Sequence, residues 1–222
     1  MNKLNHVAFI MDGNGRWGKK KKQNRNYGHL IGVKTVKRVV ETSIKLNIPV
    51  VTFYVFSTEN WKRPKTEINY LFKLIKNYFQ TELNQVIKNG IKINIIGELN
   101  NLPDNLKKIL YNTIKKTKKN KKIIVNLALN YGAKKELISS MKKSSKRITE
   151  KEINKNLYTK NMPDPDILIR TGGKKRLSNF MLWQLAYTEL YFLDKLWPDF
   201  QSKDLKKIIN NYHGIQRNFG GV

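Results

Sequence analysis

Short, continuous apolar runs alternate along this chain with longer segments whose apolar residues recur at helical spacing, and that alternation leaves few architectures open. Val7 to Met11, Val50 to Phe56, Ile91 to Ile96, Ile123 to Leu129, Asp166 to Arg170 and Leu190 to Leu193 read as strands. Between and after them, His29 to Leu46, Thr66 to Lys88, Asp104 to Lys119, Ala133 to Lys143 and Ser202 to Tyr212 read as helices. Shorter helical pieces are expected at Ile153 to Tyr158 and Phe180 to Leu185. A strand apolar throughout must be covered on both faces, and a strand that returns through a helix pairs in parallel. The expected fold is α/β, with a mostly parallel central sheet of about six strands flanked by helices. No internal repeat and no Pro/Gly/Ser linker divides the sequence, and 222 residues suit a single domain spanning 1–222.

Three of these strands deliver polar loops at their carboxyl ends, where parallel α/β sheets hold ligands. After Met11 come Asp12, Gly13 and Gly15 spaced by Asn14, and then Arg16. A loop with two glycines can bring backbone N–H groups close to a phosphate. After Phe56 comes Ser57-Thr58-Glu59-Asn60-Trp61-Lys62-Arg63-Pro64, which mixes a hydroxyl, a carboxylate, an amide, an indole and a guanidinium. After Arg170 comes Thr171-Gly172-Gly173-Lys174-Lys175-Arg176-Leu177-Ser178. Arg16, Arg25, Arg63, Arg170 and Arg176 all lie in or beside loops of this kind, where a planar guanidinium can grip phosphate through two bonds.

The formal net charge is +28, yet of 44 basic residues only eight are arginine, and the lysines are strewn among asparagine and isoleucine. Charge of this size suits nucleic acid, an anionic membrane or anionic small substrates, and much of it is expected to be a solvated face. No nucleic-acid-binding motif is recognisable. Absence of cysteine excludes disulfides and thiolate metal sites. The first strand begins by residue 6 and no run approaches the roughly 20 apolar residues of a spanning helix, so a soluble cytoplasmic protein is expected.

By letters alone, Gly13-x-Gly15-x-x-Gly18 after a strand is the dinucleotide fingerprint. That motif requires its glycines to open an apolar helix, whereas Lys19 to Lys22 follow here and Lys19 to Asn26 reads as a basic flap. The acid expected about 20 residues on is missing as well, since Glu41 lies inside a helix and Glu59 is too far along. No G-x-x-x-x-G-K-[ST] is present. Taken alone, Asp12 is either a turn cap or a metal ligand, and the phosphate-type donors in the companion loops favour the ligand. Glu189 stands beside a very apolar strand, and such an acid is normally paired or bound. Phe53, Tyr54, Phe56, Phe72, Tyr78 and Phe79 are core residues by default, although a sheet with two long apolar helices could also enclose a channel.

Taken together these motifs resemble the cis-prenyltransferases, specifically the bacterial isoprenyl transferases of the undecaprenyl diphosphate synthase type. The resemblance covers essentially the whole chain: H-V-A-F-I-M-D-G-N-G-R-W at 6–17, Arg25 with Gly28-His29, F-S-T-E-N-W-K-R-P at 56–64 with Glu67, D-I-L-I-R-T-G-G at 166–173 with Arg176-Leu177-Ser178-Asn179-Phe180, and Leu182 to Phe200. It implies an α/β fold with a hydrophobic tunnel, working as a homodimer. The implied reaction is repeated cis addition of isopentenyl diphosphate to an allylic diphosphate such as farnesyl diphosphate, with Mg²⁺ required. Carried over by position, the resemblance makes Asp12 the central acid for Mg²⁺ and Glu189 a second metal-linked acid. Gly13, Asn14, Gly15, Arg16 and Arg25 would cradle the allylic diphosphate, with Trp17 and His29 lining the same place. Ser57, Thr58, Glu59, Trp61 and Arg63 match the second substrate loop, and Asn60 a participant in proton removal. Arg170, Arg176 and Ser178, with Leu177 between, would hold isopentenyl diphosphate. Arg217 to Gly221 resembles a tail that reaches a partner's site. The implied product is a long polyprenyl diphosphate, precursor of the lipid carrier for cell-wall glycans, and the basic surface would assist peripheral docking at an anionic membrane, where that product must be delivered. Val55 shares a strand face with Phe53 and Ser57 by alternation, and its bulk would bear on product length if that face lines the tunnel.

Overall fold

A computed structural model of the chain describes residues 2–144 and 148–218. Phe219, Gly220 and Gly221 of the expected tail lie outside the described residues. The strands are β1 His6–Ile10, β2 Val50–Ser57, β3 Ile91–Ile96, β4 Ile123–Tyr131, β5 Ile167–Arg170 and β6 Glu189–Phe192. They form one sheet in the order β3-β4-β2-β1-β5-β6, and every recorded pairing is parallel. The helices are α1 Asn14–Lys20, α2 Arg25–Lys45, α3 Lys65–Lys88, α4 Asp104–Thr117, α5 Ala133–Lys143, α6 Glu150–Asn156 and α7 Ser202–His213. Phe180 to Leu185, expected as a helical turn, is a succession of turns instead. Ser178, Asn179 and Met181 take positive φ in and beside it, a backbone no helix can use.

The sheet separates two cores. On one face, residues of α2, α3, α4 and α7 pack on Val7, Phe9, Val51, Phe53, Val125 and Leu127. Phe9 stacks on Phe53 at 5.0 Å between centroids, and Trp197 stacks on Phe200 at 5.6 Å. All four rings are essentially inaccessible, so truncating Phe53 to alanine costs about 3–5 kcal/mol. On the other face Ala8, Ile10, Ala128, Phe180 and Met181 form a smaller core with α5.

The fold departs from the sequence pattern at two places that border the loops. First, β2 carries a bulge: Tyr54 pairs with Ala128 and Phe56 with Leu129, leaving Val55 without an opposite residue. Strict alternation therefore fails, and Phe53, Val55 and Phe56 all join the same core while Tyr54 faces the other. Second, the expected flap at 19–26 is the end of α1 and the start of α2, which begins at Arg25 with the Asn24 side chain accepting from the Tyr27 N–H at 2.9 Å. The glycines do open a helix, but one that meets its neighbour mainly through backbone, with a single aromatic pair, Trp17 on Tyr27, beside it. A Cβ on Gly28 would lie 1.8 Å from the Asn14 carbonyl oxygen, so α1 and α2 cross backbone to backbone. Hydrophobic periodicity carries no trace of a contact made by glycine.

The chain leaves β1 toward β2 on one side of the sheet and leaves β5 toward β6 on the other. The loops after β1 and β5 therefore part, opening a crevice above their carboxyl ends.

Candidate active site

The loops after β1, β2 and β5 converge at that crevice on a polar cavity of about 660 Å³. It is lined by Asp12, Gly13, Asn14, Gly15, Arg16, Arg25, His29, Ser57, Glu59, Asn60, Arg63, Arg170, Arg176 and Ser178. Close approach of the first and third loops depends on Gly172, whose φ is +88°. A Cβ there would meet Asp12 at 3.1 Å and the Arg16 guanidinium at 2.5 Å. The Thr171 hydroxyl donates to the Asp12 carbonyl at 2.8 Å and the Trp197 N–H donates to the same oxygen at 3.0 Å, so the backbone of Asp12 is fixed from two sides.

Five arginines face two carboxylates around the cavity, which gives it a positive interior suited to a multiply charged anion. Asp12 is held between two of them: Arg16 Nη2 reaches Oδ1 at 3.0 Å and Arg170 Nη2 reaches Oδ2 at 3.0 Å. Arg170 is 3% exposed and its Nη1 also donates to Ser178 Oγ at 2.7 Å and to the Arg176 carbonyl, while its Nε has no partner. That arginine ties the first and third loops together with one donor in reserve.

A second charged knot joins α2 to the start of α3. Glu67 accepts from Arg25 Nε at 3.0 Å and Nη2 at 3.1 Å, and from Arg63 Nη1 at 3.2 Å, with His29 Nε2 at 3.2 Å. Burial alone would raise the Glu67 carboxyl, but Arg25, Arg63 and His29 outweigh it and hold the group below the usual range. Burial likewise lowers His29, so the ring is neutral at pH 7 and adds no further cation to the knot. Between these knots, the turn Thr58–Lys62 is closed by a capping box in which Asn60 Oδ1 accepts from the Ser57 N–H at 3.2 Å. Glu59 accepts from Asn179 Nδ2 at 2.8 Å, linking the second loop to the third.

Several candidate residues lie elsewhere. Trp17 turns away, donating to Asp199 Oδ1 at 2.7 Å and stacking on Tyr27. Trp61, within the second loop, is not part of the cavity lining and donates to Asn130 Oδ1 at 2.8 Å. Thr58 approaches Gly132, and Leu177 packs on the smaller core. Glu189 is not brought to the cavity. It pairs in register with Ile167 at the opposite end of the sheet from Asp12, and Arg217 Nε lies 3.7 Å from its carboxylate. Glu67 and Asn179 stand out by nothing in the sequence beyond their place in the motifs, yet their hydrogen bonds make them organisers of the cavity wall. Isolated acids and amides in a sequence carry no sign of what they hold.

Directly beneath the polar cavity lies an apolar one of about 130 Å³ between α2, α3 and the sheet. The two share Met11, Asn14, His29, Val55 and Leu71. Val33, Val36 and Val40 of α2, Leu74, Ile75 and Phe79 of α3, and Ile93 and Leu127 of the sheet line the lower chamber. The bulge aims Val55 at the neck between them.

Among the described residues no three His, Cys, Asp or Glu side chains gather as a cation cage. Mg²⁺ is normally held by one or two carboxylates together with substrate phosphates and water, so Asp12, one of two carboxylates on an anion-binding cavity, fits a cation that arrives with its phosphate.

Several known proteins are similar to this chain in sequence and in fold. A family model described as "Putative undecaprenyl diphosphate synthase" matches residues 10–220. The chain is 44% identical over 227 residues to the (2E,6E)-farnesyl-diphosphate-specific ditrans,polycis-undecaprenyl-diphosphate synthase of Micrococcus luteus, covering 98% of this chain and 91% of that one. Among solved structures, lavandulyl diphosphate synthase from Lavandula x intermedia in complex with dimethylallyl diphosphate superposes with a TM-score of 0.93 at 31% identity, covering 98% of each chain. A probable undecaprenyl diphosphate synthase from Campylobacter jejuni gives a TM-score of 0.84 at 36% identity over 100% of both.

Proposed function

The chain belongs to the undecaprenyl diphosphate synthase family of prenyltransferases, and from that membership we propose that it extends an allylic diphosphate, with farnesyl diphosphate as starter, by repeated cis addition of isopentenyl diphosphate. In each addition a carbon–carbon bond forms between the terminal alkene carbon of isopentenyl diphosphate and the first carbon of the allylic partner. The bond from that carbon to diphosphate breaks, and a proton leaves the incoming unit to give the new double bond.

The observation that carries this reading is the shared wall: a cavity with five arginines opens straight into an apolar chamber. Diphosphate gathers negative charge as it leaves, and fixed cationic donors aimed at it lower the barrier. The prenyl end is carbocation-like at that moment, and an apolar chamber keeps water from it. In this scheme Gly13 to Arg16 and Arg25 hold the allylic diphosphate, and Arg170, Arg176 and Ser178 hold isopentenyl diphosphate. Asp12 would hold Mg²⁺, which supplies a second, mobile positive charge to the diphosphates. An amide is no base, so Asn60, with its oxygen engaged by Ser57, acts by orienting the group that loses the proton.

The product is proposed to be a long polyprenyl diphosphate serving as precursor of the cell-wall glycan lipid carrier. A homodimer covering the β6 edge, where Leu182 and Leu190 are exposed, and peripheral contact with a membrane belong to the same proposal. No helix among the described residues is long and apolar enough to cross a membrane.

The test is incubation of the purified protein with farnesyl diphosphate, radiolabelled isopentenyl diphosphate and Mg²⁺, followed by mass analysis of the dephosphorylated products. A ladder of polyprenols that disappears on chelation is expected. No incorporation into any prenyl product refutes the proposal.

A further inference from the structure

The apolar chamber is about 130 Å³, close to the volume of an engineered cavity that holds a benzene ring. A fifteen-carbon starter already exceeds it, so any chain grown there has to leave it as it grows. One wall is hydrogen-bonded sheet, with Ile91, Ile93, Val125 and Leu127 in paired strands, and does not part. The opposite boundary is the groove between α2 and α3, and that groove can.

Among the described residues, charged side chains join α2 to α3 at two places, one at each end of the chamber. The Glu67 knot with Arg25 and His29 closes the end at the polar cavity. At the far end Lys37 Nζ reaches across to Glu82 Oε2 at 2.7 Å. That pair lies over a small pocket of about 20 Å³ that shares Val40, Tyr78, Val86 and Ile91 with the chamber, so it closes the continuation of the same space. The two ends differ in strength. Glu67 is 9% exposed and takes bonds from three partners, whereas the Lys37 and Glu82 side chains are 43% and 32% exposed and are joined by one bond, with Glu41 adding only a more distant negative charge near Lys37. A half-exposed pair is screened by water and salt and parts readily, while each five-carbon unit that stays in apolar surroundings is favoured by more than such a pair supplies.

We propose that the Lys37–Glu82 ion pair is a distal clasp, parted by the growing prenyl chain where it emerges between α2 and α3, and that it contributes to setting product length. The proposal rests on the polyprenyl reading above and assigns Lys37 and Glu82 a role in specificity rather than in catalysis.

The experiment compares Glu82→Gln, Lys37→Met and the charge exchange Lys37→Glu with Glu82→Lys, reading product length by mass and, separately, the rate of the first addition. Each single change is expected to lengthen the dominant product by about two isoprene units and to leave the first addition within about twofold, while the exchange restores the original length, as coupled partners require. The chain has no cysteine, so Lys37→Cys with Glu82→Cys accepts a bifunctional thiol reagent at that place alone. Bridging the groove this way is expected to stop growth at short products, and cleaving the bridge to restore long ones. Product lengths unchanged by the single variants and by the bridge overturn the clasp. So does a fall in the first addition equal to any effect on length, since that marks a pair that only supports the fold. If the unaltered protein adds no unit at all, the parent reading fails, and the clasp fails with it.

Discussion

The two chambers share a wall and little else. The upper one is made of loops, is held by ion pairs between segments far apart in sequence, and leaves an Arg170 donor in reserve. Its lower neighbour is made of helix and strand faces, contains little that can hydrogen-bond, and is closed at its far end by a single screened pair. Binding and bond breaking need charge at fixed points, which loops at the carboxyl ends of strands supply. Housing a growing hydrocarbon needs only apolar walls that can separate. Changes in the upper chamber should therefore alter rates and affinities, and changes in the lower one should alter what is made.

The strongest test of that division is Asp12→Asn, which keeps the shape of the side chain and removes its charge. Loss of one electrostatic group at the reacting centre is expected to lower kcat by about 10³-fold while product length in the residual activity stays the same. Circular dichroism checks that the fold survives. Near-normal turnover would remove Asp12 from the centre of the upper chamber. Next in size is Glu67→Gln, at the border between the two. It leaves Arg25, Arg63 and His29 without the carboxylate that gathers them, and kcat/KM for the allylic substrate is expected to fall about 10²-fold, because misplacing a binding group by about an ångström has that effect. A shift in product length instead of rate would assign Glu67 to the lower chamber and break the comparison.

Arg176→Ala comes third. The side chain lines the upper cavity in the third loop alone, so KM for isopentenyl diphosphate is expected to rise about tenfold, the loss of one charge-assisted contact, with KM for the allylic substrate little changed. Equal effects on both constants would contradict the proposed division between the first and third loops.

The upper chamber is legible in the sequence and the lower one is not, for a physical reason. Asp12, Arg16, Arg63 and Arg170 are costly residues to place beside buried strands, and each announces a partner. Val36, Leu74 and Phe79 are the residues a filled core would use, so no pattern separates lining from packing. The parallel sheet is legible from its alternation, and all three loops meet where carboxyl ends should. α1 escapes the pattern because its contact with α2 is made by Gly28, and the aim of Val55 escapes it because a bulge inserts one residue that no alternation rule anticipates. Val55→Ala tests that last point. Widening the neck is expected to change KM for either diphosphate less than about twofold and to move the dominant product by about one unit, a volume effect of two lost methyl groups.

The smallest effect on activity is expected from the titratable group farthest in kind from both chambers. His6 opens β1 at the end opposite Asp12 and points to the face away from the apolar chamber, with Nδ1 2.8 Å from the Pro163 carbonyl and Nε2 2.6 Å from Thr52 Oγ1. Burial lowers it from 6.5 to about 4, the Pro163 bond and Asp166 only partly opposing. Above pH 6.5 the ring is neutral whether the chain is folded or not, and His6 contributes no pH dependence. Below that the unfolded chain takes up a proton that the folded one refuses, so stability falls with pH until about 4, where the folded ring charges as well. The gap amounts to ~3 kcal/mol, lost over that window, and urea midpoints measured from about pH 7 to pH 4 should show it. His6→Gln should flatten that part of the curve while turnover at about pH 7 stays within about twofold, because the native ring is already neutral there and sits at the end of β1 opposite Asp12. A variant that keeps the slope would place the acid sensitivity elsewhere. A variant that loses turnover would mean that the far face of the sheet reports to the upper chamber through β1, and the separation of binding from housing would then be incomplete.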